Sequence, residues 1–312
     1  MLCALIAASL FPTQQRLPFP GAVRVGIAQR RVIAVSESGA GKVLPDGPSF
    51  AAGHHPSSLA IADLNGDGNP DLVIANHEEK YVTVLLGPSF ANPVQVPVDV
   101  RPHAHFAAVA DLDGDGKPDL ILNDMAGKRV LVMWGKGDGT FTTPTAGATG
   151  SKGYAYIDVA VSGPRLFVPT WPQPQLAVLR VRGRSLEPEA RLELPNPSFY
   201  AVALGEDVAV ATYSGSIADP SRDGIVLLHD GDVGSYRAGP APTSLAAAGD
   251  ELAVCNLGGG VTIFVNKNHQ LHEEVRLPAD HPQGIALGDL DGDGKADLAV
   301  AAQDEVLIFL TH

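Results

Sequence analysis

The chain of 312 residues has few cysteines, few aromatic residues and little basic charge. Cys3 and Cys255 are its two cysteines, and Cys3 lies in an apolar N-terminal run, so the sequence does not predict a structural disulfide. Lysine and arginine number 22 against 35 acidic residues, which gives a formal net charge of −13. No stretch of the sequence gathers enough lysine or arginine to bind phosphates, so we expect neither nucleic acid nor an anionic membrane as a partner.

Long apolar runs are also scarce. The stretch MLCALIAASLF at 1–11 has the length of a signal-peptide core but lacks the preceding basic residues. We expect residues 1–10 to be a leader remnant, with a buried strand as the alternative, and residues 11–312 to form a single domain. No later apolar run reaches the roughly 18 residues needed to span a bilayer.

Glycine and proline, in contrast, are abundant, at 34 and 25 residues. This composition favours many short strands joined by turns over long helices. One stretch, ADLNGDGNPDL at 62–72, returns as ADLDGDGKPDL at 110–120 and as GDLDGDGKADL at 288–298. The first two copies begin 48 residues apart and the last two 178 residues apart, so degenerate copies of a repeating unit are expected between them.

In the degenerate copies a tight turn replaces the acidic loop, as in YAVALGEDVAVATY at 200–213. The first strands are predicted to begin near residues 23, 59, 106, 156, 200, 245 and 285. Units of about 45 residues with four strands each predict an all-β, seven-bladed β-propeller. Six or eight blades are the alternatives if a degenerate unit is misread. The last unit lacks a fourth strand, which residues 11–18 are predicted to supply, closing the ring.

The acidic loop itself predicts a cation site. Side chains at its positions 1, 3, 5 and 9 converge when the backbone curls, and the glycines between them permit that curl because they tolerate positive φ. With a backbone carbonyl at position 7, the loop offers five or more hard oxygen ligands, the set that Ca²⁺ prefers. The predicted ligands of about three Ca²⁺ sites are Asp63, Asn65, Asp67, Asn69 (carbonyl) and Asp71; Asp111, Asp113, Asp115, Lys117 (carbonyl) and Asp119; and Asp289, Asp291, Asp293, Lys295 (carbonyl) and Asp297.

Other interpretations of the loop are a solvated turn without an ion and a catalytic carboxylate pair. Three copies with one spacing favour a cation, because bringing four carboxylates together without one is costly. Mg²⁺ demands a stricter octahedron, and Zn²⁺ prefers His or Cys. Position 12 is Ile74, Leu122 or Val300 rather than the Glu of an EF-hand. Asn65 removes one negative charge, so the first loop is expected to bind more weakly.

The stretch ADLDGDGKPDLILND at 110–124, together with GKGDGTF at 135–141, resembles the FG-GAP/VCBS repeats that also occur in integrin α-chain propellers. The resemblance covers blades two, three and seven and implies Ca²⁺ in the loop between the first two strands of each. Members of this family are usually secreted or at the cell surface and serve as adhesion, recognition or accessory modules. The resemblance therefore implies a secreted, periplasmic or cell-surface protein with a protein or carbohydrate partner, and we expect a monomer.

Three histidines share a second spacing. His55, His103 and His281 each stand eight residues before the first Asp of their loop, in links that lead into the predicted inner strands. Equivalent positions of a propeller surround the channel mouth, where ligands commonly bind. Three histidines could hold Zn²⁺, Fe²⁺ or Cu²⁺, whereas contact with a polar ligand or a purely structural role are the alternatives. His105 and Tyr154 are further candidate ligand-binding residues.

The sequence therefore predicts a secreted, calcium-stabilised propeller that binds a protein or a carbohydrate. The alternative is a polysaccharide lyase or hydrolase with a His-lined metal site at the channel mouth. No nucleophile elbow, phosphate loop or His-Glu-x-x-His motif is present, so no catalytic residue is assigned. Trp134 and Trp171 are interpreted as core residues, with a sugar-stacking surface as the alternative.

Overall fold

The computed structural model describes residues 11, 13–77, 79–100, 104–155, 158–213 and 223–311. These residues form β-strands joined by turns, and they contain no helix. Their strands pair into seven antiparallel sheets, six of four strands and one of five. The prediction of an all-β, seven-bladed β-propeller is confirmed, each sheet being one blade.

The first four blades follow one another along the chain. Blade one contains β2 (Ala22–Ala28), β3 (Arg31–Ser36), β4 (Ala40–Leu44) and β5 (Ser49–Ala51). Blade two contains β6 (Pro56–Ala62), β7 (Asp71–Asn76), β8 (Tyr81–Leu85) and β9 (Val94–Pro97). Blade three contains β10 (Ala107–Ala110), β11 (Asp119–Asp124), β12 (Arg129–Met133) and β13 (Thr145–Ala148). Blade four contains β14 (Tyr154–Ala155), β15 (Ala160–Ser162), β16 (Arg165–Trp171), β17 (Gln175–Arg182) and β18 (Ser185–Glu193).

The remaining blades complete the order. Blade five contains β19 (Ser198–Leu204), β20 (Asp207–Thr212), β21 (Gly224–His229) and β22 (Asp232–Tyr236). Blade six contains β23 (Pro242–Ala248), β24 (Glu251–Asn256), β25 (Val261–Lys267) and β26 (Gln270–Leu277). Blade seven contains β27 (Pro282–Gly288), β28 (Asp297–Ala302), β29 (Glu305–Leu310) and the N-terminal strand β1 (Thr13–Pro18). The first strands thus begin at residues 22, 56, 107, 154, 198, 242 and 282, against predicted starts near 23, 59, 106, 156, 200, 245 and 285.

The N-terminal strand completes the last blade, as predicted. β1 pairs antiparallel with β29, from Thr13 opposite Leu310 to Pro18 opposite Glu305. A side-chain ion pair, Arg16 Nη1 to Glu305 Oε1 at 2.7 Å, joins the same two strands. This pairing covers the edge that β29 would otherwise expose to other chains.

Burial explains why the second strand of several blades reads as a continuous apolar run. All six residues are buried in each of β7, β11, β20 and β28. A strand covered on both faces has no solvent side on which polar residues could alternate. Each fully buried Leu, Ile or Val in such a strand contributes about 1.5–3 kcal/mol through the hydrophobic effect. The strand ends, where the loops begin, are therefore held in place by the interior.

The apolar side chains pack between neighbouring blades. One cluster joins blades two and three around Leu120 and Leu122, and another joins blades five and six around Leu204 and Leu252. Across the described part of the chain, no helix has the length and hydropathy to cross a bilayer.

The blades fall into two compact units. One holds blades five to seven with most of blade one, and the other holds blades two to four with the remainder of blade one. The three acidic loops are divided between them, those of blades two and three in one unit and that of blade seven in the other.

Candidate functional site

The three acidic loops occupy the same place in their blades, between the first and second strands. In each hairpin the residue before the loop pairs with the ninth loop residue, so the eight residues between them extend beyond the end of the ladder. The pairs are Ala62 with Asp71, Ala110 with Asp119, and Gly288 with Asp297. We name these segments loop one, loop two and loop three.

The first carboxylate of each loop organises the backbone around it. In loop one, Asp63 Oδ1 accepts a hydrogen bond from Gly66 N at 2.8 Å, and Oδ2 accepts one from Gly68 N at 2.8 Å. Both glycines have positive φ, +74° and +81°, and an added Cβ would meet nothing within 4 Å. The backbone conformation, rather than lack of space, therefore requires glycine. The same bonds join Gly114 and Gly116 to Asp111, and Gly292 and Gly294 to Asp289.

The side chains at loop positions 3 and 5 also accept hydrogen bonds from backbone amides of their own loop. In loop one, Asn65 Oδ1 accepts from Asp67 N at 3.0 Å, and Asp67 Oδ1 accepts from Asn69 N at 2.8 Å. The equivalent bonds are Asp115 N to Asp113, Lys117 N to Asp115, Asp293 N to Asp291, and Lys295 N to Asp293. In two loops, three carboxylate oxygens then lie within 4.8 Å of one another: those of Asp111, Asp113 and Asp115, and those of Asp289, Asp291 and Asp297.

The ninth carboxylate ties the loop to the interior. Asp71 is fully buried; its Oδ2 accepts from Leu64 N at 2.8 Å and its Oδ1 from Gly87 N at 2.7 Å, just beyond the third strand. Burial raises the pKa of Asp71 above its ordinary value. Asp119 and Asp297 make the same pair of bonds, from Leu112 and Gly135 and from Leu290 and Thr311. Burial also raises the pKa of Asp119.

One residue from a neighbouring blade enters loop two. Arg184, in the turn between β17 and β18, places Nε 2.7 Å from Asp113 Oδ2 and Nη2 3.3 Å from Asp115 Oδ2. Its guanidinium also lies 5.6 Å from the ring centre of Trp134. Partial burial acts to raise the pKa of Asp113, but the hydrogen bond from Arg184 and the loop amides lower it overall. Loop two therefore carries a positive charge supplied by the chain itself.

The oxygen donors of these loops fit a hard divalent cation. Carboxylate or amide oxygens come from positions 1, 3, 5 and 9, and the lysines at position 7 leave a backbone carbonyl available. The ammonium groups of Lys117 and Lys295 lie 3.7 and 3.8 Å from Asp115 and Asp293, which makes them weak surface pairs. The arrangement can hold an ion through oxygen ligands alone, as Ca²⁺ requires.

The histidine positions have a backbone role. His55 and His281 have positive φ, 43° and 46°, immediately before a proline that begins the first strand of a blade. Ala241 occupies the same place before β23 with φ of 54°. The position therefore forms a left-handed turn whether or not it carries an imidazole, which supports the structural alternative for these two histidines. His55 and His281 belong to different units, and His103 lies outside the described residues, so the three-histidine site stays a prediction.

The other two candidate ligand-binding residues lie apart from the loops. His105 contacts His77 edge to face, with ring centroids 4.5 Å apart. Tyr154 is 40% exposed and stacks on Trp171, which is 38% exposed, at 6.4 Å and an interplanar angle of 20°. Lys128 Nζ lies 5.8 Å from the Tyr154 ring centre. Trp134 is buried as expected, whereas Trp171 is not, because it is the last residue of β16, where its partner on β14 is the equally exposed Tyr154.

Sequence reasoning missed a mixed cluster in blades five and six. Ligand-type atoms of Asp207, His229 and His269 lie within 4.8 Å of one another. One sequence feature could have pointed to Asp207: the turn LGED at 204–207, whose Asp aligns with the ninth position of the acidic loops. The histidines come from distant parts of the chain and have no shared spacing.

Seven antiparallel blades, six of four strands and one of five, define the protein as a seven-bladed β-propeller. An FG-GAP-like repeat model matches residues 63–122 and 111–161, and an FG-GAP repeat model matches residues 281–309. The propeller therefore contains FG-GAP and FG-GAP-like repeats in the blades that carry the acidic loops, which confirms the resemblance drawn from those loops. A search of curated proteins finds no match.

Solved structures share the fold at low sequence identity. The structure of U3-55K has a TM-score of 0.73 at 12% identity, over 96% of this chain and 99% of that chain. The WD40 β-propeller domain of Doa1 has a TM-score of 0.68 at 12% identity, over 97% of each chain. A chain of Kuenenia stuttgartiensis hydrazine synthase has a TM-score of 0.69 at 15% identity, over 94% of this chain and 96% of that chain. At such identities the likeness establishes the fold alone.

Proposed function

We propose that this protein is a secreted, Ca²⁺-stabilised propeller that binds a protein or carbohydrate ligand. The observation that carries the calcium proposal is one hydrogen-bonding scheme repeated in three loops, which in two of them brings three carboxylate oxygens within 4.8 Å of one another. Clustered carboxylates repel one another unless a cation compensates them. Ca²⁺ takes six to eight oxygen ligands, and each loop supplies five positions, with water completing the shell.

Calcium would act on stability. An ion bound to the folded loop but not to the unfolded chain stabilises the fold by RT ln(1 + [Ca²⁺]/Kd). Loops of this exposure fit the weaker class of sites found in extracellular modules, with Kd on the order of 10⁻⁴–10⁻³ M. Sites of that affinity fill only in an environment rich in calcium, as the proposed location outside the cytoplasm provides.

The exposed pair of Tyr154 and Trp171 supports the binding role. Parallel aromatic rings on a surface offer a face on which a sugar ring or an apolar side chain can stack. Lys128 beside Tyr154 adds a positive charge to an otherwise acidic molecule, which favours a ligand with an acidic group. We place the ligand contact there, on blade four.

The calcium proposal is tested by metal analysis and calorimetry on the full chain. Purified protein is expected to contain about three Ca²⁺ per chain after dialysis against millimolar calcium, and chelation with EGTA is expected to lower Tm. The change should reverse when Ca²⁺, but not Mg²⁺, is restored. Absence of bound calcium together with an unchanged Tm would contradict the proposal.

The ligand surface is tested by fluorescence titration with a panel of neutral and acidic oligosaccharides. Because Trp134 is buried and Trp171 is exposed, a change in emission reports on Trp171. Saturable quenching that is lost in Tyr154→Ala, which keeps the Trp171 reporter, and that is kept when the exposed Val233 is changed to Ala, would identify a carbohydrate ligand. If no member of the panel changes the emission, a carbohydrate ligand is excluded and a protein ligand is the one that the proposal keeps.

A further inference from the structure

A second kind of metal-ligand set lies in blades five and six. Asp207 is the first residue of β20, His229 is the last residue of β21, and His269 lies in the turn between β25 and β26. One ligand-type atom from each lies within 4.8 Å of the other two. Two imidazole nitrogens and one carboxylate oxygen differ from the all-oxygen donors of loops one to three.

Asp207 stands where the other blades place their ninth loop residue, at the start of the second strand. Asp71, Asp119 and Asp297 accept two backbone hydrogen bonds there, one of them from the second residue of the acidic loop. Blade five has a tight turn through Gly205, so it lacks that loop amide. Three side chains contact the Asp207 carboxylate instead.

The three contacts are short. His229 Nδ1 lies 2.6 Å from Asp207 Oδ1, and His269 Nδ1 lies 3.0 Å from the same oxygen. Asn266 Nδ2 donates to Oδ2 at 2.6 Å. These three contacts hold the Asp207 carboxylate in one orientation.

The two imidazoles are arranged as a pair. Their ring centroids lie 3.3 Å apart with an interplanar angle of 21°, and both direct Nδ1 to Asp207. Both Nδ1 atoms therefore face the same carboxylate oxygen from one side of the stacked pair. An ion bound by both Nδ1 lone pairs requires the two rings to rotate apart until their planes converge on it.

The distances are close to those of a metal site. Zn²⁺ binds imidazole nitrogen and carboxylate oxygen at about 2.0–2.2 Å, which separates tetrahedral ligand atoms by roughly 3.4 Å. The two observed nitrogen–oxygen distances, 2.6 and 3.0 Å, need to open by less than about 1 Å to reach that value. His229 and His269 are part-exposed while Asp207 is 1% exposed, so an ion can enter from solvent and keep a water ligand.

Further groups support the ligands from outside. Asn266 holds the second carboxylate oxygen, and Asp230 Oδ2 lies 3.8 Å from His229 Nε2, the ring nitrogen turned away from Asp207. The hydrogen bond from Asn266 is of the kind that commonly orients the ligands of metal sites, whereas the exposed Asp230 makes only a weak electrostatic contact. Asn268 and His269 have φ of 52° and 61°, as a two-residue type I′ turn requires. The turn therefore fixes the backbone position from which the His269 side chain extends.

A turn in blade four also contacts the first hairpin of the neighbouring blade, as the His269 turn does. Arg184 is the second residue of the two-residue turn between β17 and β18, as His269 is of the turn between β25 and β26. Arg184 extends to the first hairpin of blade three, where it contacts Asp113. The fold thus brings this turn position to the neighbouring blade's hairpin, and the residue type decides what it does there.

We propose that Asp207, His229 and His269 bind a divalent transition-metal ion of the Zn²⁺ type, independently of the calcium loops. Imidazole and carboxylate together suit Zn²⁺ and its neighbours, whereas Ca²⁺ prefers oxygen alone. The site has three protein ligands and an open position.

The test is calorimetric titration of the metal-stripped full chain with Zn²⁺ in excess Ca²⁺, which occupies the acidic loops. The wild type is expected to bind one Zn²⁺ at this cluster. His269→Asn, which keeps a residue that tolerates positive φ, and His229→Asn are each expected to weaken binding by at least about tenfold to a hundredfold. Zn²⁺ should also raise the wild-type Tm more than that of either variant.

The matched control is His272→Asn, an exposed histidine on β26 outside the cluster, which should leave Zn²⁺ affinity unchanged. Far-UV circular dichroism confirms that each variant folds. Failure of the wild type to bind Zn²⁺ overturns the proposal, and so does a folded His269→Asn variant that binds as tightly as the wild type. The Zn²⁺ measurement does not depend on the calcium proposal, because the cluster shares no residue with the three acidic loops.

Discussion

Arg184 Nε lies 2.7 Å from Asp113 Oδ2, so an arginine from blade four occupies part of the loop of blade three. The side chain of Asp113 is nearly buried in this pair, and that of Arg184 is half exposed. A cation in loop two would compete with this guanidinium for the same oxygen. Blade-to-blade packing therefore adds a distant residue to a candidate cation site whose oxygen donors are all local in sequence.

Arg184→Ala is expected to raise the Ca²⁺ affinity of loop two by about twofold to fivefold. The gain is small because the competing ion pair is partly exposed to solvent and contributes little. Isothermal titration in an Asp63→Asn, Asp289→Asn background isolates loop two. The control is Arg182→Ala, because Arg182 pairs with Glu187 rather than with the loop. An unchanged or weaker affinity in Arg184→Ala would show that the guanidinium does not compete.

Asn65→Asp is expected to have opposite effects with and without calcium. The substitution gives loop one the same charge as the other two loops. In EGTA the added carboxylate repels Asp63 and Asp67, so Tm should fall; in saturating Ca²⁺ it adds a charged ligand, so Tm should rise. Differential scanning calorimetry in the two buffers checks this. A fall in both buffers would count against an ion in loop one.

Glu189→Gln is expected to destabilise blade four in a pH-dependent way. Glu189 pairs with Arg165 at 2.8 Å and Arg180 at 2.7 Å, and their hydrogen bonds lower its pKa to about 2. Because the folded pKa is depressed, the stabilisation is complete above the ordinary value of 4.5 and is lost as pH falls toward 2. The Tm difference between wild type and variant should therefore shrink over that interval.

The comparison for Glu189 is Glu187→Gln on the same strand. Glu187 pairs with Arg182 at 3.1 Å, and both side chains are mostly exposed. An exposed pair contributes little, so this variant should shift Tm less at neutral pH. Equal shifts in the two variants, or a Glu189→Gln shift that persists at pH 2, would contradict the assignment.

The thiol of Cys255 is expected to be inert in the folded protein. It is fully buried on β24, and burial raises its pKa to about 12. Relative to the ordinary value of 9.0, this lowers the thiolate fraction about a thousandfold. In a Cys3→Ser background, a thiol reagent should label Cys255 only after denaturant unfolds the chain. Rapid labelling of the native protein would show that blade six opens locally.

The acidic loops were readable from sequence because their determinants are local. Aspartates and glycines at fixed spacing determine both the hydrogen bonds and the positive φ values within a single hairpin. The same loops supplied the repeat length, from which seven blades and the N-terminal strand of the last blade followed. Spacing also selected His55 and His281, but their shared feature is a left-handed turn that Ala241 adopts equally.

The sequence alone determined the blade count, the loop geometry and the strand that completes blade seven, because these follow from residues within one repeat. Only the tertiary structure brought Arg184 to Asp113 and His269 to Asp207, over 71 and 62 residues of chain. Such contacts depend on which turn of one blade lies against which hairpin of the next. That placement arises from the packing of buried strands, and no local pattern encodes it.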